Sequence, residues 1–318
     1  MTDGDGLKVA VIGVGYLGRF HAQKWATLPG CRLIGVADPV EATRAAVAAE
    51  LGAPPVADWR ELLGRVEAVS IATPTPLHHP IARACLEAGV HVLVEKPITT
   101  TVAEAEDLIR TAATAGRVLQ VGHLERFNAA VRAIEGLVRQ PRFIESARLA
   151  PFRQRGTDVS VVLDLMIHDI DLIQSIVRSP LVSIDAIGAK VFSDDLDIAN
   201  VRLKFASGCV ANVTASRVSL KTERKLRLFE DEAYLSLDLQ QKILTVIRKG
   251  ATPAEGDLPQ VAIDERTYEQ GDALKAEIEA FVDSIRTGRP PLVGGAEGLA
   301  ALETATRIAA LVRGNGRG

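Results

Sequence analysis

Leu7-Lys8-Val9-Ala10-Val11-Ile12-Gly13-Val14-Gly15-Tyr16-Leu17-Gly18 decides the fold. An aliphatic run with the character of a buried strand enters a G-x-G-x-x-G turn, and a helical stretch follows to about Leu28. This is the order in which a dinucleotide-binding βαβ unit builds its first turn. Gly13 permits the tight turn, Gly15 lets a pyrophosphate approach the backbone, and Gly18 lets the helix pack closely on the strand. At Tyr16 and Leu17 the helix amino terminus offers N–H groups and the positive end of its dipole to phosphates.

A second strand, Arg32 to Ala37, ends at Asp38, twenty residues after Gly18. A carboxylate at that place accepts hydrogen bonds from the adenosine ribose hydroxyls. Its charge would repel a 2′-phosphate, and no arginine follows at once, Arg44 lying six residues on within a helix. The expected cofactor is therefore NAD in preference to NADP.

Further strand-like runs recur at Ala68–Ala72, Val90–Val94 and Val118–Val121, with helical stretches at about Val40–Leu51, Pro80–Ala88 and Val102–Ala115. Gly89 and Gly116 stand where helix C-caps are expected. Alternating strands and helices predict an α/β domain, a doubly wound parallel Rossmann sheet within residues 1–122. After Gly122 the pattern changes. A helix (Glu125–Val138), a strand (Phe143–Leu149) and a helix (Leu163–Val177) lead into strand-like segments at Ser183–Val191, Asn200–Phe205, Cys209–Ser216, Lys225–Phe229, Ala233–Asp238 and Ile243–Arg248. Ser207-Gly208 reads as a hairpin turn, and Gly250–Gly256 as a surface loop. Helices at about Asp272–Arg286 and Glu297–Val312 close the chain. Residues 123–318 are thus expected to form an α+β domain with a mainly antiparallel open sheet, for substrate binding and oligomerisation, with its last helix able to pack back on the first domain.

Composition narrows the function classes. The chain has 318 residues, 47% of them apolar and 24% charged, with a net charge of −3. Without a long basic block, nothing points to nucleic acid or an anionic membrane surface. The polar, acidic start lacks the regions of a signal peptide, and no apolar run reaches the ~18 residues that span a bilayer. Cys31, Cys85 and Cys209 are scattered and read as small hydrophobes in a reducing compartment. A cytoplasmic protein is expected.

The chemistry is expected at strand ends, because ligands of open parallel sheets bind beyond the carboxyl ends of the strands. Glu95-Lys96-Pro97 closes the run Val90–Val94 and places a lysine there. Thr73-Pro74-Thr75-Pro76-Leu77-His78 follows another strand on the same edge, so Thr73, Pro74 and His78 are placed to cover the cofactor. In the helix Leu163–Val177, Asp164, His168, Asp171 and Ser175 recur at intervals of four, three and four, so they share one face of an otherwise apolar helix. Asp164 would contact and orient the His168 imidazole. No third or fourth ligand at suitable spacing accompanies that pair, so no metal site is expected. Arg126 and Asn128, after the last strand of the first domain, are candidates for polar contacts to substrate, and Arg153 and Arg155 for a substrate phosphate. His21 and His91 read as structural residues, and His79 as either a surface histidine or part of the cover over the cofactor.

With the glycine turn, Asp38, Glu95-Lys96-Pro97 and Asp164-x-x-x-His168 in this order, the chain resembles the glucose–fructose oxidoreductase, inositol dehydrogenase and MocA (Gfo/Idh/MocA) family over essentially its whole length. The resemblance implies a Rossmann domain joined to an open-sheet domain, oxidation or reduction of sugar and cyclitol carbons with NAD or NADP, and catalytic roles for Lys96, Asp164 and His168. Glu95 and Lys96 would also border the cofactor, and Lys96, Asp164, His168 and Asp171 the substrate. Within the family, Val121–Asn128 and Leu163–Asp171 look most like UDP-N-acetylglucosamine 3-dehydrogenases, although Ala129 stands where proline is expected. That similarity implies a 3-keto nucleotide sugar, made for a downstream aminotransferase in 3-amino-sugar synthesis for lipid A. The second domain's antiparallel sheet has no obvious helix cover on both faces, which suggests subunit pairing through it and a homo-oligomer (dimer or tetramer). The general base would be His168 or Lys96, the two being left open. An inositol or free-sugar dehydrogenase is the alternative within enzymes, and a non-catalytic dinucleotide-binding regulator the alternative outside them.

Overall fold

The computed structural model describes residues 6–152, 159–249, 261–268 and 271–315. The chain opens with β1 (Leu7–Ile12), α1 (Tyr16–Thr27), β2 (Cys31–Ala37), α2 (Glu41–Leu51), β3 (Pro55–Val56) and β4 (Ala68–Ile71). It continues through α3 (His78–Glu87), β5 (His91–Glu95), α4 (Val102–Ala115) and β6 (Leu119–Gly122). The six strands form one sheet in the order β3-β2-β1-β4-β5-β6, every neighbouring pair parallel. β1, β4 and β5 are mostly apolar, and Val9–Ile12, Ala68–Ile71 and Val92–Val94 are buried, as in a parallel sheet covered by helices on both faces. Thr101 caps α4 in a capping box with Glu104, and Gly116 ends it in the left-handed conformation.

The next elements are a 3-10 turn (Leu124–Phe127), α5 (Ala129–Arg132), β7 (Phe143–Leu149), a π-helical segment (Val162–Met166) and α6 (Ile167–Val177). Then come β8 (Leu181–Ala189), β9 (Ile198–Phe205), β10 (Val210–Ser216), β11 (Glu223–Phe229), β12 (Ala233–Asp238), β13 (Ile243–Lys249) and β14 (Val261–Thr267). They form an eight-stranded sheet in the order β14-β13-β12-β11-β7-β10-β9-β8. Only the β7–β10 pair is parallel, the others being antiparallel. Gly208 (φ 87°) turns the chain between β9 and β10, where Ser207-Gly208 was expected to do so. The helices α7 (Ala273–Thr287) and α8 (Gly295–Asn315) end the chain.

Three elements depart from the sequence expectation. Glu125–Val138 is not one helix, because Asn128 stops the preceding turn and caps α5 through its side-chain oxygen on the Ala130 N–H. The helix expected from Leu163 begins as a π-helix and becomes α-helical only at Ile167. β14 was not foreseen, since every one of its residues is exposed and no alternation marks it. The loop expected at Gly250–Gly256 lies outside the described residues.

The chain divides into two compact units, Met1–Leu124 with Asp272–Leu302, and Glu125–Gly271 with Glu303–Gly318. The segment Asp272–Leu302, read from sequence as part of the second domain, therefore belongs to the first unit, and the division falls within α8. The physical reason is a shared core: Ile278, Phe281 and Val282 of α7 are buried with Val9, Val11, Ala22 and Trp25. Trp25 meets Phe281 edge to face at 6.3 Å and donates its indole N–H to Ser70 Oγ at 2.8 Å. Lys24 of α1 pairs with Asp272 at the start of α7. In the second unit α6 packs on β7 and β10.

Candidate active site

In the first unit the glycine turn has the geometry that a dinucleotide needs. Gly13 has φ +82°, and a Cβ there would lie 2.8 Å from the Thr73 nitrogen. A Cβ on Gly18 would meet the Gly13 carbonyl at 1.8 Å, whereas nothing lies within 4 Å of one built on Gly15. α1 begins without a side-chain cap, and the start of such a helix, with the positive end of its dipole, favours an anion. Beside the turn is a cavity of about 440 Å³ lined by Gly13, Asp38, Trp59, Arg60, Thr73 and Leu77 among others.

Asp38 is tied to that turn. Its carboxylate accepts from Val14 N at 3.0 Å and Val40 N at 2.9 Å. Each oxygen keeps a second lone pair, so the group can still accept from ribose hydroxyls. Thr73 Oγ1 is buried and has no hydrogen-bond partner among the described residues, an acceptor–donor that a bound ligand would satisfy. Trp59 and Arg60, which the sequence reading missed, contribute a stacked cation–π pair (4.6 Å) to the cavity wall. Their signal was weak, a tryptophan and a basic residue in an irregular connection between strands.

The Lys96 loop is fastened to this turn by two histidines. His78 is 1% exposed, and its ring nitrogens face Pro97 O at 2.9 Å and Thr73 O at 2.8 Å. Both nitrogens are thus committed to backbone, so His78 holds the Thr73-Pro74 loop and the Lys96-Pro97 loop together and does not itself line the cavity. The second tie is His21 Nε2 on α1, which donates to Glu95 Oε1 at 2.9 Å. Glu95 Oε2 accepts from Lys96 N at 3.3 Å. A Cβ on Gly122 would stand 3.1 Å from the Glu95 carboxylate, so a larger residue at the end of β6 would press on that carboxylate. Burial opposes ionisation of Glu95, but the bond and charge of His21 and the charge of Lys96 outweigh it and hold the carboxyl below its ordinary range.

His79 and His91 make contacts within the unit. His79 pairs with Asp107 at 2.9 Å, and His91 Nδ1 accepts from Val118 N at 2.9 Å. Burial pushes the Cys85 thiol up to about 12 and that of Cys209 to about 11, as fits inert apolar positions. No helix among the described residues is long and apolar enough to cross a membrane.

The second unit holds Asp164 and His168. Asp164 lies in the π-helical segment and His168 in the first turn of α6, so the uniform α-helical face drawn from their spacing is not the geometry present. π-bulges are frequently found at functional sites. Below them is a network that sequence reasoning missed. Arg148 of β7 forks onto Asp169 of α6 at 2.7 and 3.2 Å and reaches Glu125 at 2.9 Å. Burial disfavours its charge, yet Asp169 and Glu125 together raise the guanidinium pKa above its ordinary value. The available signal was an arginine at an inward position of an alternating strand.

The remaining candidates differ in use. Arg126 meets Asp171 at 3.4 Å. Asn128 is spent on structure, its amide donating to Glu125 Oε2 at 3.3 Å and Leu239 O at 2.9 Å while its oxygen caps α5. Ser175 Oγ bonds back to Leu172 O. Arg153 and Arg155 lie outside the described residues.

A doubly wound sheet with this glycine turn, Asp38 at the end of β2 and a strand-end Lys96 defines a dinucleotide-dependent oxidoreductase. Comparison with known proteins makes the class specific. Residues 7–123 match the oxidoreductase family model with an NAD-binding Rossmann fold, and residues 129–236 the GFO/IDH/MocA C-terminal domain. The chain belongs to the Gfo/Idh/MocA family of oxidoreductases, with an NAD-binding Rossmann domain. It is 38% identical over 303 residues to a UDP-N-acetylglucosamine 3-dehydrogenase of Acidithiobacillus ferrooxidans, covering 95% of this chain and 96% of that one. A solved structure of that enzyme superimposes with a TM-score of 0.92 over 97% of this chain and 98% of the other, at 38% identity. A scyllo-inositol 2-dehydrogenase (NAD(+)) of Bacillus subtilis is 26% identical, covering 90% of this chain and 88% of the relative.

Proposed function

We propose that this enzyme oxidises a secondary hydroxyl of a nucleotide sugar, C3 of UDP-N-acetylglucosamine, to the ketone, with Lys96, Asp164 and His168 as catalytic residues. The observation that carries the reading is the 38% identity, spanning 95% of the chain, to an enzyme of that activity. NAD, when bound, supplies the hydride acceptor. His168 takes the hydroxyl proton and Asp164 orients its ring. Lys96 donates a hydrogen bond to the same oxygen and offsets the negative charge that develops on it. A 3-keto sugar is a substrate for a transaminase, so a downstream aminotransferase is the implied partner. A homo-oligomer in the cytoplasm completes the proposal.

The test is incubation of the purified protein with NAD and UDP-N-acetylglucosamine in the presence of a carbonyl trap, followed by mass spectrometry. A trapped nucleotide sugar that has lost two hydrogens, absent with Lys96→Ala, supports the reading. No such product, with NAD binding intact, discards this substrate. The 26% identity to a scyllo-inositol dehydrogenase then makes inositols and free sugars the next to assay.

A further inference from the structure

Behind Lys96, Glu277 of α7 is fully buried, at 0% exposure. One ligand-type atom from each of His21, Glu95 and Glu277 lies within 4.8 Å of the others. Neither Glu277 oxygen has a hydrogen-bond partner among the described residues, and nor does His21 Nδ1. With both carboxyls ionised the cluster would hold several buried acceptors and too few donors, an arrangement native proteins avoid. One added proton turns an acceptor into a donor.

We propose that Glu277 is held as a neutral carboxylic acid sharing its proton with the Glu95 carboxylate, and that this buried link makes it a positioning residue for Lys96. The role assigned to Lys96 rests on the function proposed above; the place of the proton does not. Two buried carboxyls this close cannot both carry charge. Burial first, and then the charge on Glu95, raises the Glu277 pKa well above the carboxylate range, while Glu95 is held low, so the proton belongs to Glu277. Around Glu277 the titratable groups are Glu95 at the end of β5, His21 on α1 and Lys96 beyond Glu95. Glu95 is enclosed by His21, the bare Gly122 and the Lys96 N–H. A donor from Glu277 fixes the last side of that carboxylate, and with it the peptide from which Lys96 projects. Ionising Glu277 would instead set a second negative charge beside the first and pull the Lys96 loop out of register.

The experiment compares the full-length wild type with Glu277→Gln and Glu277→Leu. Infrared spectra near neutral pH should contain a buried carboxylic-acid carbonyl band in the wild type that both variants lose. Glu277→Gln keeps a neutral donor. It should turn over at least about tenfold faster than Glu277→Leu, with NAD affinity alike in the two, as expected for a displaced catalytic group. An unchanged infrared spectrum in Glu277→Gln, or equal turnover in Gln and Leu, would overturn the proposal. So would a stoichiometric divalent cation, measured by elemental analysis, that the wild type holds and Glu277→Gln loses. Should Glu277→Leu not fold, the infrared comparison with Glu277→Gln still decides. That arm needs no substrate, so a failure to oxidise UDP-N-acetylglucosamine cannot be mistaken for a failure of the cluster.

Discussion

His78 and Pro97 are joined by a hydrogen bond of 2.9 Å to the Pro97 carbonyl, while the other ring nitrogen of His78 lies 2.8 Å from the carbonyl of Thr73. Carbonyl oxygens only accept, so a neutral imidazole donates one of these bonds and an imidazolium donates both. Burial presses the pKa down, against the two carbonyls and the charge of Glu95, and burial prevails. His78→Ala should cost about 1–3 kcal/mol, since it takes the donor from the one buried carbonyl that the neutral ring serves. Urea titration measures this. Because the folded-state pKa is lowered, wild-type stability should fall as pH drops below 6.5, with a shallower fall in His78→Asn. An identical acid limb in both proteins would remove His78 from that account.

Lys96→Ala and His168→Ala should each lower turnover by roughly a hundredfold or more, as loss of general acid–base or oxyanion-stabilising groups does. NAD titration should give dissociation constants close to the wild type. Near-normal turnover in both variants would refute the proposed site.

Asp38→Ala removes the acceptor of the Val14 and Val40 N–H groups and the charge that repels a 2′-phosphate. NAD affinity should fall by about tenfold, the worth of one charge-assisted hydrogen bond, and preference for NAD over NADP should narrow. Calorimetric titration with both cofactors measures the two effects.

Arg148→Met leaves Asp169 and Glu125 buried without their cation, at a cost of about 3–5 kcal/mol. Arg148→Lys keeps the charge but not the fork and should recover part of that stability and less of the turnover. Denaturant titration beside steady-state kinetics separates the two.

Asp197 is fully buried and accepts from the N–H groups of Val191, Phe192 and Ser193 at 2.8, 2.6 and 2.9 Å and from Arg217 Nε at 2.8 Å. Burial works against its charge, but the Ser193 hydroxyl, these N–H groups and Arg217 hold the carboxyl well below its ordinary range. Its contribution is therefore complete above about pH 4, the ordinary carboxylate value, and is lost as pH falls from there through the lowered folded-state value. Asp197→Asn should destabilise at pH 7 by about 3–5 kcal/mol and by progressively less in acid, as urea titrations at stepped pH would show.

The parts of the fold that could be read from the chain are those whose burial is local. β1, β4 and β5 are buried over most of their length, so each is predominantly apolar, and the glycine turn has its own spacing. The π-helical segment around Asp164 escapes such reading, because nothing in propensity separates a wider turn from an α-helical one. β14 escapes because exposure erases alternation. Of the candidate site, Gly13, Asp38 and Lys96 lie where motif and position put them, at the glycine turn, after β2 and after β5. His78 was placed in the right loop with the wrong contact, since a sequence does not say whether a polar ring faces a ligand or two carbonyls. Arg148 and Glu277 were missed because their partners are distant in sequence, and a buried charge announces itself only when the partner is seen.

The return of Asp272–Leu302 to the first unit constrains how the protein is made. During synthesis the ribosome delivers β1 through β6 long before α7, and domains ordinarily consolidate in the order of their emergence. Here the early segment must wait, with the Trp25 face uncovered, until Ile278, Phe281 and Val282 are translated. An expression fragment ending at residue 124 would carry that exposed face permanently and should aggregate. Grafting residues 272–302 onto it through a short linker should restore a soluble nucleotide-binding module, and circular permutants that bring α7 ahead of β1 should fold sooner on the ribosome than the natural chain.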